Sequence, residues 1–463
     1  MIVIPLLALI VAHLFILVNV KFTAWPEMLA YPYLMSHGFL PYRDIVFPYF
    51  PLLPNLLTIV YNSFGQSVSV LQFTTWITIL TVDLLVFYLT FLVFGKKYLA
   101  LLGMAMFILW QPYFDGNAMW FDLALAPLVL GGAILQLQFN NKKQLVFLLL
   151  SGICWGLAVA VKQQAIVFLL AAVLFLLTDT DKKMRSLLLL MAGFALPLLL
   201  TLAPLFSASI LDEFWNWAVV VPIFVMSRIA GYANLPDVEQ VATLAMVLMP
   251  VWLLLARIVD FAKTNRAIFL LLLLFLASLT NSLPRFSLLR FQTILVLAIP
   301  LFIWWIDSHY ARHKKIVVGL LIAALGISLW SQQWFYRFNW GQSIRFFEEE
   351  TLVGSQYLSS HTNQQDKIYL FNVSSVWYVL SNRLPIKPWV DNFPWYFEVP
   401  GMQDQVIASF TSQLPKVVLY KYPAAGNPYQ PGTYQPDKLI KYLVEHYIQQ
   451  QEIAPGVWWW ERK

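Results

Sequence analysis

Between Trp25 and Pro54 the chain reads WPEMLAYPYLMSHGFLPYRDIVFPYFPLLP, which sets two carboxylates, Glu27 and Asp44, beside Arg43, His37, four tyrosines and six prolines. A carboxylate in such a loop can take a proton from an attacking hydroxyl. Further acids lie downstream: Asp115 and Asp122 bracket GNAMWF, and Asp83 stands inside LTVDLLVF. The cations that accompany them are Lys162, within GICWGLAVAVKQQAIVFLL, and Arg285 and Arg290, within LPRFSLLRFQ. Guanidinium and ammonium groups beside acids suit a phosphate group. Acids to activate a hydroxyl and cations to hold a phosphate together point to transfer from a lipid-linked phosphate donor. Tyr42, Tyr49, Asp115 and Gln163 are further candidates for substrate contact.

The elements that must position these groups follow from composition. Of 463 residues, 60% are hydrophobic and 12% charged, with a mean hydropathy of +0.67. Soluble domains carry about 45–50% apolar and about 25% charged residues. The chain is therefore an α-helical polytopic membrane protein. Its net charge of +6 (30 basic minus 24 acidic residues) is spread along the chain, with no basic, aromatic-interleaved cluster for nucleic acid. One cysteine, Cys154, lies in an apolar run, which excludes a disulfide framework and a cysteine-built metal site. The N-terminal MIVIPLLALIVAHLFILVNV lacks a basic leader and a small-x-small cleavage site, so it reads as a retained first span with His13 packed inside it.

Apolar runs of about 17–25 residues cross hydrocarbon. Candidates are 2–19, 68–94, 98–111, 121–139, 145–161, 164–178, 186–206, 240–258, 267–283, 288–306 and 315–332, about eleven spans. With the N-terminus cytoplasmic, the inside loops carry Lys96, Lys97, Lys142, Lys143, Lys182, Lys183, Arg185, Arg257, Lys263, Arg266, Arg312, Lys314 and Lys315, as the positive-inside rule requires. The first loop (20–67), the 112–120 loop, the turn at Lys162, the 207–239 loop, the 284–290 turn and the tail then face the extracytoplasmic side of a multi-pass plasma-membrane protein. Within the outer loops, Glu27–His37 and Leu52–Phe64 read as short interfacial helices, and the aromatic 207–239 loop as an interfacial segment.

From 333 to 463 charge rises and turn residues appear, which marks a small C-terminal extracytoplasmic α/β domain. IYLFNV (368–373), KVVLYKY (416–422) and VWWWERK read as strands. EEETLVGSQYLSSH reads as a helix, DKLIKYLVEHYIQQ (437–450) as an amphipathic helix and 423–436 as a loop. No phosphate loop, metal spacing or nucleophile elbow occurs in the tail, so packing or substrate binding is its expected role.

Four stretches together resemble the GT-C superfamily of membrane glycosyltransferases, specifically bacterial relatives of the dolichyl-phosphate-mannose protein mannosyltransferases and of the lipid A aminoarabinose transferase. They are GFLPYRDIVFPYFPLLPNLL, WFDLALAPLVLGGAIL, GICWGLAVAVKQQAIVFLL and LPRFSLLRFQTILVLAIP. The resemblance implies a catalytic domain over 1–332, an extracytoplasmic domain over 333–463, and inverting transfer of a sugar from a polyprenyl-phosphate donor to a lipid, glycan or protein acceptor. It implies a first-loop acid as base. The family's usual Asp-Glu is Pro26-Glu27 here, which leaves Glu27, with Asp44 as the rival. The aminoarabinose branch has a phosphate-contacting lysine in its proline-rich stretch; FPYFPLL has none, so phosphate binding falls to Arg43, Lys162, Arg285 or Arg290. Arg290 stands where the family has a histidine. Asp122 would orient the acceptor or the cations. A divalent metal is compatible with this chemistry but not required. The alternative reading is a transporter or flippase of lipid-linked sugars.

Overall fold

Hydrocarbon offers backbone amides no partners, so an apolar run that crosses it must close its hydrogen bonds within a helix. The computed structural model describes residues 2–178, 183–229, 232, 236–238, 241, 251–282, 285–422 and 436–463. In chain order the principal helices are α1 (Val3–Asn19), α2 (Glu27–Ser36), α3 (Leu52–Phe64), α4 (Val68–Phe94), α5 (Lys97–Trp110), α6 (Phe121–Lys142), α7 (Val146–Val161), α8 (Ile166–Leu177), α9 (Lys183–Ser207), α10 (Arg266–Leu279), α11 (Gln292–Asn339), α12 (Glu349–His361), α13 (Val376–Ser381), α14 (Met402–Gln413) and α15 (Asp437–His446). Among the described residues, four helices are long and apolar enough to cross a membrane: Val68–Phe94, Phe121–Lys142, Met184–Ser207 and Leu288–Asn339. Shorter apolar helices cover Val3–Asn19, Lys97–Trp110, Val146–Val161, Gln163–Leu177 and Arg266–Leu279. Most of the expected span at 240–258 lies outside the described residues.

The expected spans 288–306 and 315–332 run together as α11, a 48-residue helix interrupted at His313, where φ is −131° and ψ 42°. At ~1.5 Å per residue α11 extends about 72 Å, more than twice the ~30 Å of hydrocarbon. The break divides it into two lengths that each suit one crossing.

The chain forms two compact units. The first comprises Met1–Phe22, Gln72–Leu202 and Asn234–Gln342. Its helices pack through small residues. A Cβ at Gly152 would meet the carbonyl oxygen of Leu190, one at Gly156 that of Phe194, and one at Gly193 that of Leu149. The Gly152-x-x-x-Gly156 spacing thus puts both hydrogens on one face of α7 and lets the α9 backbone lie against it. Polar residues in the spans find partners across helices. His13 Nδ1 and Asp83 Oδ2, both fully buried, meet at 2.8 Å. Gln136 donates to the Ala172 carbonyl at 2.8 Å. Asn117, in the 112–120 loop, donates to the carbonyls of Leu17 and Val20, both at 2.9 Å, and so closes the end of α1.

The second unit comprises Thr23–Leu71, Ala203–Ala233 and Ser343–Lys463. The two expected loop helices are present as α2 and α3, joined by a hydrogen bond of 3.1 Å from Tyr61 Oη to the Met28 carbonyl. In the tail, strands β1 (Lys367–Phe371), β2 (Leu384–Pro385), β3 (Val417–Lys421), β4 (Tyr447–Ala454) and β5 (Val457–Arg462) form one sheet in the order β2-β1-β3-β5-β4. β2, β1 and β3 run parallel, and β5 is antiparallel to β3 and β4. Residues 368–371 and 417–420 are buried, as central parallel strands are when both faces are covered. One sequence expectation is corrected: the helix read over 437–450 ends at His446, and Tyr447–Ala454 is an edge strand. Pairing with β5 overrides the local helical pattern. In the 207–239 loop Trp215 is exposed, whereas Trp217 is buried.

Candidate active site

Glu27 is the first residue of α2 and follows Pro26, whose φ of −53° already suits a helix. Tyr31 lies one turn further on the same face. Its ring packs edge-on against Phe47 at 5.1 Å and Trp389 at 5.6 Å. Trp389 belongs to the stretch Lys387–Asp391, which lies along residues 44–46. The Trp389 N–H donates to the Asp44 carbonyl at 2.8 Å, and the Val46 N–H donates to the Trp389 carbonyl at 3.0 Å. Two residues beyond Trp389, Asp391 lies close enough for the Tyr31 hydroxyl to act on it and for its own charge to act on Glu27.

Both acids are buried, Glu27 with 5% of its surface exposed and Asp391 with 4%. Glu27 Oε2 and Asp391 Oδ2 have no hydrogen-bond partner among the described residues. Asp391 Oδ1 accepts from the Asn392 N–H at 2.8 Å. Burial, reinforced by the Asp391 charge, pushes the Glu27 carboxyl up to about 8. Burial also raises Asp391, partly offset by the Asn392 N–H and by the nearby Ser375 and Tyr31 hydroxyls. A carboxyl group raised toward neutral pH matches what a general base needs.

Asp44 differs from Glu27. Its Oδ2 accepts from Lys387 Nζ at 2.8 Å and from the Leu40 N–H at 3.0 Å. Lys387 also donates to the Gly38 carbonyl at 3.1 Å and sits 4.2 Å from the Phe39 ring centroid. Asp44 thus ties the tail stretch to the first loop. Tyr42, at φ 70°, donates through its hydroxyl to the Tyr49 carbonyl at 2.8 Å. Arg43 reaches Glu213 at 2.9 Å and the Ser209 carbonyl at 2.6 Å, on the surface.

In the first unit a second set assembles. Asp122 is in the first turn of α6, where the helix N-terminus favours a negative charge. Lys162 caps the end of α7 in extended backbone, just before the short turn Gln163–Ala165 that leads into α8. Lys162 Nζ donates to both Asp122 oxygens, at 2.8 and 3.0 Å, with 2% and 0% of the two side chains exposed. The Arg290 guanidinium is close enough to repel the Lys162 charge and donates to the Asn281 carbonyl at 3.5 Å. Arg285 is half-buried in the segment that leads into Leu288–Phe291 and α11. Asp115 adopts a left-handed φ of 50° in the loop before α6. A cavity of about 300 Å³ between α5 and α11, lined by residues such as Met106, Trp110, Phe302 and Leu325, is apolar and touches none of these candidates. Among the described residues no three of His, Cys, Asp or Glu gather as a metal-ligand set.

Of the sequence candidates, the structure joins Asp122 to Lys162 and brings Arg290 near them. It pairs Arg43 and Asp44 with residues that sequence reasoning did not single out, Glu213 and Lys387. Asp391 was also missed. Its one signal is an acid in the mostly apolar and aromatic IKPWVDNFPWYF, and composition alone does not join it to Glu27.

No family model matches the chain, and no curated protein matches it in sequence. Solved structures do match in fold. ArnT from Cupriavidus metallidurans bound to undecaprenyl phosphate superposes with a TM-score of 0.62 at 12% identity, over 99% of this chain and 97% of that one. The apo state of the same protein gives 0.60 at 11%, with the same coverage. The Archaeoglobus fulgidus oligosaccharyltransferase, in complex with Zn and sulfate, gives 0.55 at 14%, over 94% of this chain and 68% of that one. The chain therefore has the fold shared by these GT-C glycosyltransferases and, with its long apolar helices, is built as a membrane protein.

Proposed function

We propose that the protein is a glycosyltransferase that moves a sugar from a polyprenyl-phosphate donor to a lipid, glycan or protein acceptor on the extracytoplasmic side, with inversion at the anomeric carbon. The observation that carries this reading is the buried Glu27 carboxyl, with one oxygen unpartnered, at the start of a first-loop helix in a chain of this fold. The Glu27 carboxylate takes the proton of the acceptor hydroxyl as that oxygen attacks the anomeric carbon. The bond to the phosphate oxygen breaks, and polyprenyl phosphate leaves with the electron pair. Glu27 is preferred to Asp44 because Asp44 is already held by Lys387 and the Leu40 N–H. Arg290 and Arg285 are proposed to hold the phosphate. Lys162 contributes less, since Asp122 already neutralises it. Arg43 is the least favoured of the cations, because Glu213 and Ser209 occupy it.

The test is reconstitution of the purified chain with a labelled polyprenyl-phosphate sugar and a mixed acceptor pool. Acceptor-dependent release of polyprenyl phosphate supports the reading. Intact donor with no labelled product, in protein shown to be folded, removes it. The transporter reading rests on the fully buried His13–Asp83 pair within α1 and α4. It gains ground if the reconstituted chain equilibrates the donor between leaflets and Asp83→Asn stops that movement.

A further inference from the structure

We propose that Asp391, carried by the C-terminal α/β part, is the positioning partner of Glu27, and that the two buried carboxyl groups hold one proton between them. This inference rests on the reading of Glu27 as the base and adds the residue that sets its basicity.

The backbone pairing of residues 44–46 with Trp389 fixes where the next two residues go. The Tyr31 ring against Trp389 fixes the side of α2 they meet. Each carboxyl then keeps one oxygen without a hydrogen-bond partner, at less than a tenth of its surface exposed. The titratable groups that face the pair are the tyrosines 31, 49, 369, 378 and 396. Tyrosines 31, 369, 378 and 396 stay neutral at working pH, because burial raises their hydroxyls further above the usual tyrosine range. Among the described residues neither carboxyl makes an ion pair with a lysine or arginine. Two like charges buried together without a cation cannot both persist, so one site keeps a proton while the other is ionised. Asp391 is the more readily ionised of the two, because it has the Asn392 N–H and the Ser375 and Tyr31 hydroxyls beside it. Its charge then strengthens Glu27 as a proton acceptor. A base tuned in this way is stronger than burial alone would make it.

The test uses the full chain in lipid nanodiscs and two readouts. The first is the infrared carbonyl stretch of buried protonated carboxyl groups, followed against pH. The second is the pH profile of kcat/KM with a polyprenyl-phosphate sugar. Asp391→Asn, which preserves shape and removes charge, is expected to move the titration of the Glu27 band and the acidic limb of the profile down by about one pH unit. The high-pH plateau falls several-fold with them. Asp391→Glu, which keeps the charge, restores the limb. A residue that only packs would lower the rate at every pH and leave both midpoints in place, and that result overturns the proposal. Glu27→Gln separates the two claims. If it abolishes the band but transfer persists, the base assignment fails while the shared proton stands. If the band titrates identically in wild type and Asp391→Asn, the shared proton fails whatever Glu27→Gln does to transfer.

Discussion

Replacing one member of the Asp122–Lys162 pair exposes how much of the first unit depends on it. Both side chains are buried, and the ammonium donates to both carboxylate oxygens at 2.8 and 3.0 Å. Removing either charge leaves the other buried without its partner, a loss of about 3–5 kcal/mol. At about 1.4 kcal/mol per factor of ten, the folded fraction relative to unfolded falls roughly 150- to 4,000-fold. In thermal unfolding of detergent-solubilised protein, Asp122→Asn and Lys162→Met should each lower the midpoint by roughly 3–9 °C. Arg290 makes Asp122→Asn the worse of the two, because it then faces an unneutralised Lys162. The double variant Asp122→Leu with Lys162→Met removes both charges at similar volume and should recover to within about 1–2 kcal/mol of wild type. Single variants that melt with wild type, or a double variant that loses the sum of the singles, would refute the pairing as a stabilising unit. The double variant also separates structure from donor binding. If Lys162 contacts the phosphate, the donor KM rises even though stability returns.

The pH dependence of Glu27 and the close packing at Gly156 each lead to a measurable outcome. Because Glu27 is raised from 4.5 to about 8, transfer should climb with pH and level off above about 8, read as log kcat/KM against pH. Stability moves the other way. Between pH 4.5 and about 8 the unfolded chain has released a proton that the folded chain keeps, so Glu27 contributes a loss of stability as pH rises through that window. Glu27→Gln should flatten that slope in melting curves taken across pH. Gly156→Leu puts a side chain where the Phe194 carbonyl oxygen and the Pro197 ring already sit, so α7 and α9 must separate. A cost of about 2–4 kcal/mol is expected, seen as reduced recovery of monodisperse protein, whereas Gly319→Leu, with open space around it, should be tolerated.

Much of the helical part is legible in the sequence because hydrocarbon leaves an apolar run one way to satisfy its backbone. The helices over 121–142, 146–161 and 183–207 stand close to the runs that imply them. The same rule says nothing about partners. His13 and Asp83 each read as a lone polar residue in a span, and only the fold shows that they meet. It also cannot see that the last two runs share one helix broken at His313, because the charged 307–315 stretch reads as a loop. In the tail, β1 and β3 are readable from their continuous apolar character, whereas β4 is not. YIQQQEIA carries no strand alternation and is set by its pairing with β5. For the site, the acids and cations were visible as residue types, and their roles were not. Asp44 and Glu27 read alike until Lys387 is found on one and Asp391 beside the other. Both partners come from the tail, where no local pattern announces them.

In the proposed reaction Glu27 accepts the acceptor's proton as the sugar leaves its lipid phosphate. Single-turnover transfer from a polyprenyl-phosphate sugar, measured with wild type and Glu27→Gln in the same proteoliposomes at saturating donor, tests it directly. The rate of product formation is expected to fall about 100- to 10,000-fold, with donor binding retained. A Glu27→Gln protein that transfers within a few-fold of wild type would contradict it.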